Sequence, residues 1–76
     1  MRRNIKHDMR KRSRVASGLL NLLRDDIDQV KADAYDFDLI CLEESIKDTK
    51  ATLQMLVDNI TEIEYMLYLA NSREPY

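Results

Sequence analysis

The sequence predicts an all-α protein: an antiparallel helical hairpin of two long helices that assembles as a homodimeric four-helix bundle or a higher oligomer. Apolar residues recur at alternating steps of three and four along most of the chain. The composition has one glycine, one proline and 34% charged residues, which is typical of long helices. A chain of 76 residues with a single cysteine builds a small core and no intramolecular disulfide, so oligomerisation is the remaining source of stability.

The chain begins with a basic N-terminal arm, residues 1–14, which could include a short helical segment. The arm holds seven basic residues and one acid, a net charge of +6, whereas residues 15–76 hold five basic residues and 13 acids, a net charge of −8. Such clusters favour contact with nucleic acid or an acidic partner. Pairing with acids of the same chain or of a neighbouring subunit, or a simply solvated end, are the alternatives. The candidate contact residues are Arg2, Arg3, Lys6, Arg10, Lys11, Arg12 and Arg14.

The hairpin itself is predicted over residues 15–72, and its first helix over about 13–33. Gly18 is interpreted as a close-packing residue, or as part of a cap at Ser17, with a hinge between arm and body as the alternative. The apolar stripe of this helix is formed by Ala16, Leu20, Leu23, Ile27, Val30, Ala34 and Phe37.

A turn is predicted at about 34–37, because the apolar stripes on either side of it are out of phase. Asp36 and Asp38 are both favourable N-cap residues for a second helix. A single continuous helix with a register skip is the rival, since the turn contains no glycine. The acids around the turn are interpreted as solvated and capping carboxylates, or as a surface that imitates a phosphate backbone. This candidate acidic partner surface comprises Asp25, Asp26, Asp28, Asp33, Asp36, Glu43 and Glu44.

The second helix is predicted over about 38–71, followed by a C-terminal tail at 73–76. Its stripe consists of Leu39, Leu42, Ile46, Thr49, Leu53, Leu56, Ile60, Ile63, Leu67 and Ala70. Residues 53–70 are apolar beyond one stripe, so we expect helix 1 to cover residues 38–52 and a second subunit to cover the rest. A docking groove on another protein is the alternative cover for residues 53–70. The predicted oligomer interface is Leu53, Leu56, Ile60, Ile63, Met66, Leu67 and Leu69.

No residue set in the sequence indicates catalysis. His7 and Cys41 are each the only residue of their type, and the acids match neither a calcium loop nor a di-metal helix motif. We therefore expect no enzyme activity, no cofactor and no metal. The chain has no apolar run of membrane-spanning length, and its free cysteine favours a cytoplasmic location.

These features predict a non-catalytic oligomeric helical protein. It would bind itself and a macromolecular partner, in the first instance another protein, and regulate or inhibit that partner, for example as a small phage-type inhibitor. The alternative is a nucleic-acid-binding regulator that uses the basic N-terminal arm.

Overall fold

Two long helices form the chain in the computed structural model, which describes residues 4–72. Helix α1 spans Ile5–Tyr35 and helix α2 spans Leu39–Ser72. They pack against each other as an antiparallel hairpin, which confirms the predicted all-α hairpin and excludes a single continuous helix. The molecule is a rod of 53 × 18 × 15 Å. Its length is close to the roughly 51 Å that α2 alone spans at 1.5 Å per residue.

Helix α1 begins at Ile5, earlier than the predicted start at about 13. Asn4 caps it from extended backbone, and its side-chain oxygen accepts a 3.0 Å hydrogen bond from the backbone N–H of His7. The part of the basic arm from residue 5 to residue 14 is therefore helical, while Arg2 and Arg3 lie outside the described residues. The helix continues through Gly18, where an added Cβ would meet nothing within 4 Å. The close-packing interpretation of this glycine is wrong within the hairpin.

A Schellman motif ends α1 at its C-cap, Asp36. The Phe37 N–H donates to the Ala34 carbonyl at 3.2 Å, and the Asp38 N–H donates to the Asp33 carbonyl at 3.0 Å. Phe37 has a φ of 55°, so it occupies the left-handed position that glycine usually fills in this motif. The chain thus reverses without glycine, with a bulky residue held in a costly conformation.

Asp38 is the N-cap of α2, whereas Asp36 belongs to the end of α1. One carboxylate oxygen of Asp38, Oδ1, accepts a 3.1 Å hydrogen bond from the backbone N–H of Cys41. This bond lowers the pKa of the Asp38 carboxyl below its ordinary value. Of the two N-cap candidates in the sequence, Asp38 is therefore the one that caps α2, and the helix begins at the next residue, Leu39.

The seam between the helices is formed by two columns on each helix, and the members of each column recur every seven residues. One column of each helix is mainly apolar, with Met9, Ala16, Leu23 and Val30 on α1 and Leu42, Thr49, Leu56 and Ile63 on α2. The other is largely polar, with Leu19, Asp26 and Asp33 on α1 and Ser45, Thr52, Asn59 and Met66 on α2. Only part of each predicted stripe therefore lies inside the hairpin.

Candidate interaction surfaces

A continuous apolar surface lies outside the seam. Its residues follow one another at intervals of seven along each helix. Each lies three residues before, or four residues after, a residue of the apolar seam column. Every member is exposed. We call this surface the apolar band and define it as Leu20, Ile27 and Ala34 of α1 with Leu39, Ile46, Leu53, Ile60 and Leu67 of α2.

Both halves of the apolar band lie on one side of the hairpin. The opposite side is marked by a shallow groove that both helices line, with Val15 and Leu19 from α1 and Met55 from α2 among its residues. Because each residue advances about 100° around a helix, positions such as Leu20 and Ile60 fall on the far side of the seam from this groove. The hairpin is therefore a two-helix layer, and the apolar band runs along one of its two outer faces.

The apolar band is exposed along its whole length. Leu39 near the turn is 58% exposed, Leu53 is 46% exposed and Leu67 near the open end is 50% exposed. The expectation that helix 1 covers residues 38–52 is wrong, because Leu39, Ile40 and Ile46 are exposed. The reason is that α1 covers only one side of α2, from the turn to the open end, and leaves the band uncovered throughout.

The predicted oligomer interface coincides in part with this band. Leu53, Ile60 and Leu67 belong to it, while Leu56 and Ile63 are half-buried in the adjoining apolar seam column. These five side chains form one contiguous surface on α2.

Met66 and Leu69 do not belong to that surface. Met66 is 1% exposed and Leu69 is 7% exposed, because both face α1 within the hairpin. Their assignment to an oligomer interface is corrected: with Ala16 they form the buried apolar core of the described residues.

The accessible area of the hairpin is large for its mass. It amounts to 6383 Å², whereas a compact monomer of this mass has about 4,900 Å². The radius of gyration is 17.0 Å, against about 11 Å for a compact domain of this length. The excess area is of the same order as the roughly 1,200–2,000 Å² that a specific protein interface buries.

Polar side chains bridge the helices on the groove side of the seam. The Thr52 hydroxyl donates a 2.6 Å hydrogen bond to Asp26 Oδ2, and Arg12 Nη1 donates to Asn59 Oδ1 at 3.4 Å. Asp33 is buried and accepts a 2.9 Å hydrogen bond from Gln29 Nε2. Asp26 and Asp33 therefore lie in the seam between the helices. Their assignment to the predicted acidic partner surface is wrong.

The other five predicted acids remain exposed around the turn: Asp25, Asp28, Asp36, Glu43 and Glu44. Three large apolar side chains project among them. Tyr35 is 92% exposed, Phe37 is 75% exposed and Ile40 is 79% exposed. The turn end of the rod thus carries these three apolar side chains, which we call the apolar tip, with exposed carboxylates around them. The sequence pattern alone did not indicate this combination.

The basic residues of α1 lie at the opposite end of the rod. We call Lys6, Arg10, Lys11, Arg12 and Arg14 the basic stretch, and all five are exposed. His7, Arg10, Ser13 and Arg14 line a shallow depression on its outer face. From Arg10 to Asp33 the helix rises about 35 Å, several times the Debye length of about 8 Å at physiological salt. Pairing of the basic stretch with the acids of its own turn end is therefore excluded.

The single cysteine and the single histidine stand far apart. His7 lies in the first turn of α1, at the open end, and the exposed Cys41 lies in the first turn of α2, at the turn end. A hydrogen bond to Asp38 is the main cause that raises the pKa of the Cys41 thiol. Within residues 4–72, no three His, Cys, Asp or Glu side chains are grouped closely enough to hold a metal ion. Neither helix of that segment is apolar enough over a sufficient length to cross a membrane.

Comparisons with known proteins give no match: no family model, no curated protein and no solved structure is significantly similar to this chain.

Proposed function

We propose that the protein is a non-catalytic homodimer, a four-helix bundle that binds and regulates or inhibits a macromolecular partner. The observation that carries the proposal is the apolar band, which lies on one side of the hairpin and runs along its whole length. Two such layers stacked through their bands would give each helix two neighbours and the bundle one shared core.

The energetics support the band as the dimer interface. Its seven large side chains in each subunit are roughly half exposed, and burying the remainder of each contributes about 1 kcal/mol. Association costs about 4–15 kcal/mol in lost freedom, which fourteen such side chains can offset. A shallow depression lined by Leu20, Leu23 and Ile27 offers a hole for side chains of the facing layer.

The turn end is the surface that we assign to the partner. Tyr35, Phe37 and Ile40 are more exposed than the large side chains of the band, and carboxylates surround them. Such a tip fits an apolar pocket rimmed by lysine or arginine on another protein, because aromatic anchors and complementary charge favour specific contact. Occupying that pocket is how the protein would regulate its partner.

Sedimentation equilibrium tests the dimer. The wild-type protein should have twice the 9.0 kDa chain mass, and Ile60→Asp should shift it to a monomer and lower its stability, because a charge would be buried between the layers. The matched control is Met55→Asp, since Met55 is 53% exposed and Ile60 is 52% exposed, but Met55 faces the groove side. A monomeric wild type, or a Met55→Asp variant that dissociates as readily as Ile60→Asp, would refute the proposed interface.

A further inference from the structure

The side of the hairpin opposite the apolar band has an apolar centre of its own. Val15, Leu22 and Met55 are each about half exposed there, and Leu19 lies half-buried beside them. Val15, Leu19 and Met55 line the shallow groove, and Leu22 stands seven residues after Val15 on the same face of α1. Neither the hairpin nor a dimer formed through the apolar bands covers these side chains, so they form a second apolar surface near the middle of the rod.

Acidic side chains surround this second apolar surface. We call this side the groove face and define it by the positions at intervals of seven from Val15 and Gly18 in α1 and from Met55 and Asp58 in α2. Within α1 these positions hold two acids and one cation. Within α2 they hold four exposed acids and no cation. The acids of α2 on the groove face are Glu44, Asp48, Asp58 and Glu62. The groove face therefore has a net charge of −5.

This acidity is specific to one side of the hairpin. On the other side, the positions four residues after each residue of the apolar band hold three cations and two acids within the two helices. Arg12 also lines the groove, where its Nη1 donates to Asn59 Oδ1 across the seam. Even with Arg12 counted, the groove face keeps a net charge of −4. The groove face therefore attracts cations, whereas the side of the apolar band does not.

Gly18 leaves a gap in the groove face. It stands three residues after Val15 and four residues before Leu22, so it borders both side chains on the surface of α1. Glycine within a helix costs about 1 kcal/mol relative to alanine, yet an added Cβ at Gly18 would meet nothing within 4 Å in the hairpin. A glycine at this point allows the backbone of another molecule to approach α1 closely.

We propose that the groove face binds a basic amphipathic helix of a partner protein. The apolar stripe of that helix packs on Val15, Leu22 and Met55, and its lysine or arginine side chains lie beside Asp58 and Glu62, which line the groove. A helix laid between two aligned helices buries one stripe of its surface in the groove between them. Two groove faces do not fit each other, because acids would face acids. The inference goes beyond the proposed dimer, whose stacked bands leave both groove faces outward.

Synthetic peptides test the groove face on the full chain. The probe has leucine at alternating steps of three and four and lysine elsewhere, over about 18 residues, which is long enough to form a helix. Its counterpart has glutamate in place of lysine. Fluorescence anisotropy at physiological salt should show binding of the lysine peptide alone, and added salt should weaken it. A lysine peptide that does not bind, or a glutamate peptide that binds equally well, would overturn the inference.

A substitution in the apolar centre locates the peptide on the groove face. Met55→Gln should raise the Kd of the lysine peptide by roughly threefold to tenfold, because the apolar contact of the methionine is lost. Tyr68→Gln is the matched control, since Tyr68 is an exposed residue of α2 that belongs to neither the groove face nor the apolar band. It should have a smaller effect, and circular dichroism checks that both variants are folded. Equal losses of affinity would contradict docking on the groove face.

Neutralising acids tests the charge of the site. Asp58→Asn with Glu62→Gln should raise the Kd of the lysine peptide by roughly threefold to tenfold at low salt, an effect that high salt removes. Asp28→Asn with Glu43→Gln makes the same charge change near the turn end, outside the groove face. This control should have a smaller effect. If it weakens binding as much, the peptide binds through net charge or at the apolar tip, and the inference is overturned.

Sedimentation separates this inference from the proposed dimer. A dimer that does not bind the lysine peptide overturns the inference and leaves the homodimer intact. A monomer whose peptide binding depends on Met55 overturns the homodimer and supports the groove face. Particles larger than a dimer that form without peptide and dissociate in Met55→Gln would place a second copy on the groove face and overturn the partner helix.

Discussion

The hydroxyl of Thr52 in α2 donates a 2.6 Å hydrogen bond to Oδ2 of Asp26 in α1. Thr52 is buried and Asp26 is half-buried, so the bond lies inside the seam, near the middle of the rod. A polar pair in a seam costs stability relative to an apolar pair, but it disfavours every register that leaves either group unpaired. The bond therefore fixes how α1 and α2 are aligned, and with them the two halves of the apolar band.

Thr52→Val should lower the free energy of unfolding by about 1–2 kcal/mol, because the Asp26 carboxylate loses its donor within the seam. The double variant Thr52→Val, Asp26→Leu should recover most of that loss, since both polar groups are then gone. Urea unfolding at one fixed protein concentration measures both values. Thr61→Val is the control, because the exposed Thr61 hydroxyl bonds only within its own helix, to the Val57 carbonyl. Equal losses for Thr52→Val and Thr61→Val would contradict a role of the seam bond in stability.

The hairpin and its turn could be predicted from the sequence because two independent signals coincide there. The apolar register changes phase between Ala34 and Leu39, and Asp38 offers N-cap chemistry at the same place. The start of α1 was harder to find, because the charged residues from Lys6 to Arg14 obscure the apolar repeat. The capping residue Asn4 was the signal that could have located it.

The division between seam and outer face could not be predicted from apolar spacing alone. Leu56 and Ile60 both fit the three-and-four repeat, yet the first is half-buried in the hairpin and the second faces outward. Ser45, Thr52 and Asn59 are spaced seven residues apart. This polar repeat was the sequence signal for the seam that apolar spacing misses. An apolar stripe in a sequence includes every face that a helix buries, whether against its own chain or against another molecule. The stripe alone therefore does not show which of its residues pack within the hairpin.

Gly18→Ala should stabilise the protein by about 1 kcal/mol, because glycine is less favourable than alanine within a helix by that amount. The new methyl group would meet nothing within 4 Å, so no clash offsets the gain. Chemical unfolding measures the change, and Ser17→Ala at the neighbouring exposed position should give a smaller one. A loss of stability or of the dimer would mean that another molecule covers Gly18, which lies away from the apolar band.

Phe37→Gly should raise the free energy of unfolding by about 0.5–1 kcal/mol. Glycine adopts the left-handed conformation without the roughly 1–2 kcal/mol penalty of an L-residue, although its greater freedom in the unfolded chain returns part of the gain. Phe37→Ala keeps the penalty and removes the ring, so it should not stabilise the protein. Thermal unfolding compares the three chains. If Phe37→Gly unfolds at a lower temperature than wild type, the ring contributes contacts to the fold that its 75% exposure does not indicate.

The N-cap at Asp38 should make part of the stability depend on pH. Because the Cys41 N–H holds the pKa of Asp38 below its ordinary value, the cap is fully effective above the ordinary carboxyl pKa of about 3.9. Its contribution is lost as the pH falls through the lowered pKa of the folded state. Asp38→Ala should therefore lower the Tm at pH 7 by a few degrees, on the order expected for a lost cap. This difference from wild type should shrink as the pH falls through the lowered pKa of wild-type Asp38.

Asp38→Asn separates the charge of the cap from its hydrogen bond. Asparagine also caps helices well, so this variant should keep most of the Tm at pH 7. Asp38→Asn removes the negative charge beside the Cys41 thiol, and Asp38→Ala also removes the hydrogen bond that is the main cause of the raised pKa of this thiol. Iodoacetamide should then alkylate Cys41 faster at a fixed pH in both Asp38 variants than in wild type, since the thiolate is the reactive form. An unchanged alkylation rate would contradict the contact between Asp38 and the Cys41 thiol. A Tm difference between Asp38→Ala and wild type that does not shrink at acidic pH would show that Asp38 does not cap α2 through its charged carboxylate.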